Sequence, residues 1–594
     1  MLRIALLAPA ILLLHLLLVG ADDVQSPLGD DAQRRHQPQR IAIIGAGPGG
    51  SSASYHLRKF SQSSTGAEDT PVEITVFESN PYIGGRTTTV NALDDPRYPV
   101  ELGASIFVKI NHILYNATRD FGLSSTVKLY ESVPESKYEL GIWDGEHFVF
   151  TAARDDGDDR SSWQGWWDIA KLIWRYGFAP IRTRQATRTA VGGFLKFYEQ
   201  PIFPFWNIQE AVDATGLDQY TGVSGRDVLQ RANVGDSFAR EIIQASTRVN
   251  YASNLAGIHG LETLVCMAIE GAMAVEGGNW QIFDNMVYGS ADAVFLNTSV
   301  TTISGNHGQR YNLTTNNEEV NTQLAWHPRG NEFDALILAA PFQFANITFT
   351  QPLRDPPEKI PYVDLHVTLF TSPHRLSASF FGLDDPADVP SSVLTTLSAE
   401  MSEKLGDRRG VDAVGPSGFW SISTLGVLHP ATDGVFCAPR ETCTMHGAEE
   451  GAEGADETQY LYKIFSPAPL TGTFLSALLD FPYTSPTTAL EDPVSSIPKS
   501  DITWLHEKVW HSYPYELPRT KFEPFKLCTG PLCAEVGGPS EGMWYLNGME
   551  SFISTMETAA LSGMNVARLV VDAWTSDRQR AGKRPKGDEN QEWL

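Results

Sequence analysis

The residues best suited to chemistry lie early in the chain, in Gly45-Ala46-Gly47-Pro48-Gly49-Gly50. The apolar run Ile41-Ala42-Ile43-Ile44 before them suits a buried parallel strand, and a helix is expected over 51–60. Glycines at this spacing between a strand and a helix have separate roles. Gly45 permits a tight turn, Gly47 lets the backbone approach a pyrophosphate, and Gly50 allows close helix–strand packing. The helix N-terminus offers unpaired N–H groups and the positive end of its dipole to the phosphates. The next strand, expected over Val72 to Glu78, ends on an acid that can accept hydrogen bonds from both ribose hydroxyls. Glu78 lies further from the glycines than the usual interval of about 20 residues. The polar, small-residue insertion at 61–70 accounts for the excess. No Arg lies beside Glu78, which disfavours a 2′-phosphate. These residues prescribe dinucleotide binding.

The elements that must position them are spread along 594 residues, more than one hydrophobic core usually absorbs, so two intimately joined domains are expected. Apolar residues make up 42% and charged residues 20%, enough for a large core. Acidic residues outnumber basic ones 71 to 45, and the formal charge of −26 argues against nucleic acid as a partner. Between about 160 and 270 the pattern is helical. Trp163, Trp166, Trp167, Ala170, Ile173 and Trp174 fall at helix spacing behind Ser161 or Ser162 as N-cap, and core packing is favoured for them over a lipid-binding wall. Strands are expected at Leu365 to Phe370, Phe419 to Thr424 and Tyr460 to Phe465. A last long helix is expected from about Phe552 to Trp574, after a turn at Asn547-Gly548. Acidic loops occupy 154–160 and 447–457.

Arg3, the apolar run Ile4 to Gly20 and the small residues Val19-Gly20-Ala21 follow the order of a cleavable secretory signal, favoured over a retained membrane anchor because no basic flank follows. Residues 22–39 then form a polar, disordered lead-in. No later segment is apolar enough to span a bilayer, so membrane contact would be peripheral after cleavage. In that setting Asn116, Asn312 and Asn346 read as glycosylation sites, with Asn297 the least suited because it falls in an expected strand. Five cysteines are present. Cys437–Cys443 and Cys528–Cys533 are the simplest disulfides, leaving Cys266 free in an apolar helix, and other connectivities stay open. Neither cysteine pair nor the scattered imidazoles have metal-ligand spacing.

Gly84-Gly85-Arg86-Thr87 and Glu101-Leu102-Gly103-Ala104-Ser105 resemble the second signature stretch of the amine-oxidase-like flavoprotein superfamily. There the first segment approaches the cofactor diphosphate and the second the flavin, so the resemblance implies FAD. Leu296 to Ile303 and Asp334 to Pro341 resemble later strands of its FAD domain, with Val300 where a backbone contact to adenine is usual. Tyr545-Leu546-Asn547-Gly548-Met549-Glu550 resembles its closing motif. Further along, Arg248-Val249-Asn250-Tyr251, Val275-Glu276-Gly277-Gly278-Asn279, Asn346-Ile347-Thr348-Phe349, Tyr462-Lys463-Ile464-Phe465-Ser466 and Trp544-Tyr545-Leu546-Asn547-Gly548 resemble prenylcysteine oxidase segments in the same order, within 40–575. The acidic loop at 447–457, the 61–70 insertion and the tryptophan-rich 160s do not match that family.

The resemblance implies an α/β fold with a Rossmann-type FAD-binding domain built from 40–115, 266–345 and 536–575. A substrate domain would have a helical part at 116–265 and a sheet part at 346–535, before a polar tail at 576–594. It also implies an oxidase acting in the breakdown of prenylated proteins, in a lysosome, a vacuole or outside the cell. Hydride would leave the carbon between sulfur and alkene, water would add, and free cysteine, a prenyl aldehyde and, with oxygen, hydrogen peroxide would form. Burying about fifteen carbons at about 0.8 kcal/mol each yields on the order of 10 kcal/mol before ordering costs, so the pocket needs apolar walls and a small polar mouth. Phe194 to Trp206 is a candidate wall, with core packing an equal reading. Arg248 is a candidate partner for the substrate carboxylate, against a structural salt bridge, and Asn250, Tyr251, Glu276, Gly278 and Asn279 are candidates for the flavin–substrate side. Two other readings are a secreted flavin amine or amino-acid oxidase and an FAD-binding glycoprotein without turnover.

Overall fold

The computed structural model describes residues 38–62, 71–126, 130, 133, 136–154, 174–268, 270–305, 310–430, 458–485, 492–528 and 542–582. The expected signal segment, most of the lead-in, most of the 61–70 insertion, both acidic loops but for Arg154, the 160s tryptophans, Cys437, Cys443, Cys533 and the end of the tail lie outside the described residues.

Ile41-Ala42-Ile43-Ile44 forms the last four residues of a strand, Gln39–Ile44, because its unbroken apolar run can be buried on both faces. It pairs in parallel with Val72–Phe77 on one side and Ala335–Leu338 on the other. Ala293–Phe295 extends one edge of this six-stranded sheet, and Gly542–Tyr545 then Lys526–Leu527 the other. Ile41 and Ile43 share a core with the helices Pro48–Gln62 and Met556–Gly582. Ala42 and Ile44, pointing the opposite way, pack on a four-stranded sheet through Val300, Ile303, Tyr311 and Leu313. Segments far apart in sequence thus meet at the first glycine loop. Ser52 Oγ donates to Ala560 O at 2.6 Å, and a Cβ on Gly563 would lie 2.1 Å from Gly49 O.

A second, seven-stranded sheet runs in the order Trp504–Pro514, Tyr362–Ser372, Gln459–Ser466, Ser421–Leu428, Ser392–Thr395, Tyr138–Trp143 and Phe148–Ala153. All its neighbours are antiparallel except Ser392–Thr395 with Tyr138–Trp143. Among the described residues no helix is long and apolar enough to cross a membrane.

Several expectations need correction. Two strands of this sheet, at 138–153, fall in the stretch read as helical, where Leu140, Ile142 and Trp143 supply a cross-strand apolar set. Lys526–Leu527, read as part of the substrate sheet, pairs instead with Gly542–Tyr545 of the nucleotide sheet. The strand expected over Leu296 to Ile303 is interrupted: one strand ends at Phe295, the next begins at Val300, and Asn297 between them is exposed at φ +50°. Asn297 is therefore not held in a strand, and the ground for ranking it below the other sequons falls. The last helix begins at Met556, because Asn547–Ser551 forms a separate, tighter turn.

Candidate functional site

The first glycine loop is shaped by close approach. Gly45 sits at φ +107°, a region disfavoured for any side chain, and a Cβ there would lie 2.6 Å from Ala339 O. A Cβ on Gly50 would lie 1.9 Å from Gly45 O. Gly47 faces the Gly85 Cα, and Gly84 N–H donates to Ala46 O at 2.9 Å, so the two glycine segments form one wall. Glu78, 5% exposed, accepts the Ala46 N–H at 2.7 Å through Oε2, while Oε1 accepts the Asn80 N–H at 2.8 Å. Glu78 therefore fixes the glycine loop through its own carboxylate. Val300, 3% exposed, begins a strand of the four-stranded sheet that packs on the opposite face of the six-stranded one.

From this loop the chain runs towards the second sheet. Arg86 donates to the Glu550 carboxylate and to Ser512 O, which ties the Gly-Gly-Arg segment to the closing motif. Glu550 also accepts from the Tyr362 hydroxyl at 3.0 Å and from Asn547 Nδ2 at 3.1 Å, while Gly548 is buried against Glu523. Gly103 packs directly on Arg86 O, and Ala104 N–H donates to that same oxygen at 3.4 Å. Two residues away, Glu101 and Ser105 line a cavity of about 290 Å³ beneath the seven-stranded sheet. Val100, Ile106, Val133 and Leu425 form apolar parts of its wall, and Lys463 reaches it from the interior strand Gln459–Ser466. Lys463 Nζ donates to Glu101 O at 2.6 Å and to Ser105 Oγ at 3.1 Å. Burial raises the Glu101 pKa and lowers that of Lys463, pushing both groups towards their neutral forms.

Asn279 is the staple of this arrangement. Fully buried, it donates its backbone N–H to Glu101 Oε1 at 2.7 Å and its side-chain amide to Ala104 O at 3.2 Å, and it accepts the Val275 N–H at 2.9 Å. Gly278 at φ +117° turns the chain into it. Glu276, half-buried, is held by its backbone N–H to Ser124 O and does not line the cavity. Asn250 and Tyr251 sit at the closing-motif side instead: Tyr513 donates to Asn250 O, and Tyr251 to Ser554 O at 3.3 Å.

Arg248 requires a correction. Its guanidinium has five N–H donors, and all are engaged: Nε and one Nη2 N–H on Thr395 Oγ1, the other on Val414 O, and the Nη1 pair on Asn254 Oδ1 and Ala413 O. It lies over the Trp420 ring at 4.7 Å, and burial lowers its pKa to about 9. No donor is left for a substrate carboxylate, and no carboxylate pairs with it among the described residues. Within the aromatic stretch from Phe194 to Trp206, Phe197 and Phe205 are core, whereas Trp206 is 40% exposed. Phe197 stacks on Phe552 at 5.3 Å and meets Phe205 edge-on, both buried. Trp174, the described end of the tryptophan stripe, is 91% exposed and not packed in the core.

A model of the prenylcysteine lyase family matches residues 159–583. The chain belongs to the prenylcysteine lyase family. A model of an NAD(P)-binding Rossmann-like domain matches residues 43–121, the stretch that carries the glycine loop and Glu78. The farnesylcysteine lyase of Arabidopsis thaliana is 26% identical over 94% of this chain and 92% of that protein. Human prenylcysteine oxidase 1 is 27% identical over 92% of this chain and 91% of its own length. A solved putrescine oxidase variant, 14% identical, covers 90% of this chain and 99% of its own at a TM-score of 0.47. Within this prenylcysteine lyase family member, Glu101 and Lys463 escaped the sequence reading as site residues. The available signal was a lone lysine in the otherwise apolar run Tyr460-Leu461-Tyr462-Lys463-Ile464-Phe465, a cost to the strand without a partner for its charge.

Of the sequons, Asn116, Asn297 and Asn346 are exposed and Asn312 is half-buried on its strand. Cys266 is free and buried, and Cys528 is disulfide-bonded.

Proposed function

We propose that this chain is an FAD-dependent oxidase that cleaves prenylated cysteine at its thioether, releasing free cysteine, a prenyl aldehyde and hydrogen peroxide. The observation that carries the reading is the continuity of one segment: 101–105 abuts the nucleotide-binding loops through Gly103 and Arg86 and lines the cavity through Glu101 and Ser105. The residues fit the cofactor, because the Gly45–Gly50 cradle leaves no room for a Cβ at either end and the Gly84–Gly85 turn closes beside it. Gly45, Gly47, Gly50, Gly84 and Gly85 would hold the diphosphate, Glu78 and Val300 the adenosine end, and Arg86, Gly103, Ala104, Ser105, Gly548 and Glu550 the flavin end. Segments 40–115, 266–345 and 536–575 serve the cofactor in this reading, and the rest of the folded chain serves the substrate. The printed names of the relatives, a farnesylcysteine lyase and a prenylcysteine oxidase, support the substrate class.

Bound FAD supplies the two-electron acceptor for the hydride that leaves the carbon next to sulfur. The protein must bury the isoprenoid and keep bulk water from the ring. Ile106, 51% exposed at the cavity, offers an apolar rim of the kind a prenyl chain needs. Arg154 and Glu139 give the same wall one charge of each sign, complementary to a zwitterionic cysteine. We place the protein in the secretory pathway on the support of the Cys528 disulfide, since such bonds persist in oxidising compartments.

The test is anaerobic. The purified yellow protein should bleach on addition of farnesylcysteine and yield one free thiol per flavin, whereas a panel of primary amines should leave its spectrum unchanged. Bleaching by an amine and none by the thioether would replace this reading with an amine oxidase.

A further inference from the structure

Hydride loss from a carbon between sulfur and an alkene needs no base, but the steps after it do move protons. Glu101 is built for them. Its Oε1 is fixed by the Asn279 N–H at 2.7 Å, while Oε2 is buried and makes no hydrogen bond. The residue is 5% exposed yet lines the cavity. An unpartnered buried oxygen is costly to keep and is expected where a ligand group completes it. The other cavity acid, Glu139, is exposed and stands outside the 101–105 segment.

We propose that Glu101 is the base that takes a proton from the water attacking the oxidised substrate, with Lys463 as the positioning residue that holds its backbone and Ser105 in place. The inference rests on the thioether oxidation proposed above. Once the hydride has gone, the water oxygen bonds to the sulfur-stabilised carbon, and one O–H proton passes to Glu101 Oε2. The product is a neutral hemithioacetal. Its carbon–sulfur bond then breaks with both electrons going to sulfur, the hydroxyl oxygen forms the aldehyde double bond, and the hydroxyl proton leaves to solvent. Glu101 returns its proton to sulfur, giving the thiol. The hydrogen lost as hydride and the one proton given to solvent together supply the two electrons and two protons with which dioxygen, the oxidant, becomes hydrogen peroxide, so no net proton is released per turnover.

The titratable and charged groups facing Glu101 are Lys463 from the Gln459–Ser466 strand, Tyr130, and Glu139 and Arg154 across the cavity. Tyr130 is neutral over the working range, since burial raises its pKa. Burial of Glu101 raises its own pKa out of the ordinary carboxylate range, towards that of a base matched to neutral pH.

Rapid mixing of FAD-loaded Glu101→Gln with farnesylcysteine separates the steps. Bleaching should stay within about threefold of the unaltered protein, whereas thiol and aldehyde release should slow about 100-fold or more. In the unaltered protein release should fall as pH drops and Glu101 becomes protonated, and this acid limb should vanish in Glu101→Gln. A carboxylic-acid infrared band that titrates with the same midpoint, and is absent in the variant, gives a readout independent of turnover. Equal slowing of bleaching and release, or unchanged release, would overturn the proposal. Were the variant not to fold, the unaltered protein decides: a solvent deuterium effect and an acid limb on release but not on bleaching support it, and their absence overturns it. If the unaltered protein does not bleach, the thioether reading itself has failed.

Discussion

Glu101 and Lys463, 5% and 7% exposed, are buried almost as deeply as His259, Glu262 and Glu516, but the first pair lines the 290 Å³ cavity and the second group does not. The ligand atoms of His259, Glu262 and Glu516 lie within 4.8 Å of one another, a spacing that would suit a cation. The imidazole argues otherwise. His259 caps its helix by accepting the Glu262 N–H on Nδ1 at 3.1 Å, so the neutral ring carries its proton on Nε2, which faces Glu516 Oε2 at 3.6 Å. A nitrogen bearing a proton is not a ligand. Burial lowers the His259 pKa to about 3 and raises those of both glutamates, so the group rests as a neutral imidazole and protonated acids behind the closing motif. The same desolvation acts on both regions. What separates them is space: an ionisable group that meets a cavity can exchange its proton with a substrate, and one sealed in the core can only affect stability.

The largest effect should come from comparing matched substitutions. Glu101→Gln should slow product release about 100-fold or more, while Glu262→Gln should leave turnover within about twofold; parallel losses in stopped-flow assays would erase the distinction. Next comes Arg248, a third buried charge and one with every donor used. Arg248→Met takes the charged donor from Asn254 Oδ1, Thr395 Oγ1 and the carbonyls of Ala413 and Val414 in a sealed site, and should cost about 3 kcal/mol or more of stability in urea titrations. The KM for farnesylcysteine of the folded fraction should not change, and a raised KM with normal stability would return Arg248 to the substrate.

The smallest effect is the pH dependence of the sealed acids. Glu262 binds its proton more tightly when folded than at its ordinary value of 4.5. Its contribution to stability is therefore complete below that value and is lost as pH rises towards the raised folded value. Glu262→Gln, which keeps the shape without the charge, should gain stability over the unaltered protein as pH increases from 5 to 8, read as a growing difference in melting temperature. A constant difference would mean that Glu262 is charged in the fold.

Local sequence determined the nucleotide-binding half of this protein to a large degree. An apolar run, glycines at fixed offsets and an acid at a strand end act through backbone sterics, which depend on near neighbours, and Gly45 and Gly50 occupy the crowded positions that their spacing implies. The Arg86 and Glu550 segments could be matched to known motifs, but their ion pair joins positions 464 residues apart. Tertiary structure alone decided the rest. Arg248 read as a ligand for carboxylate because its type permits that, and only the fold shows four internal acceptors taking its five donors. Glu101 read as part of a glycine-rich stretch, and only the packing of the Gln459–Ser466 strand and Asn279 against it makes a buried acid at a cavity wall. Burial is a property of what surrounds a side chain in space, and the pKa, the free donor and the open volume that make a site all follow from it.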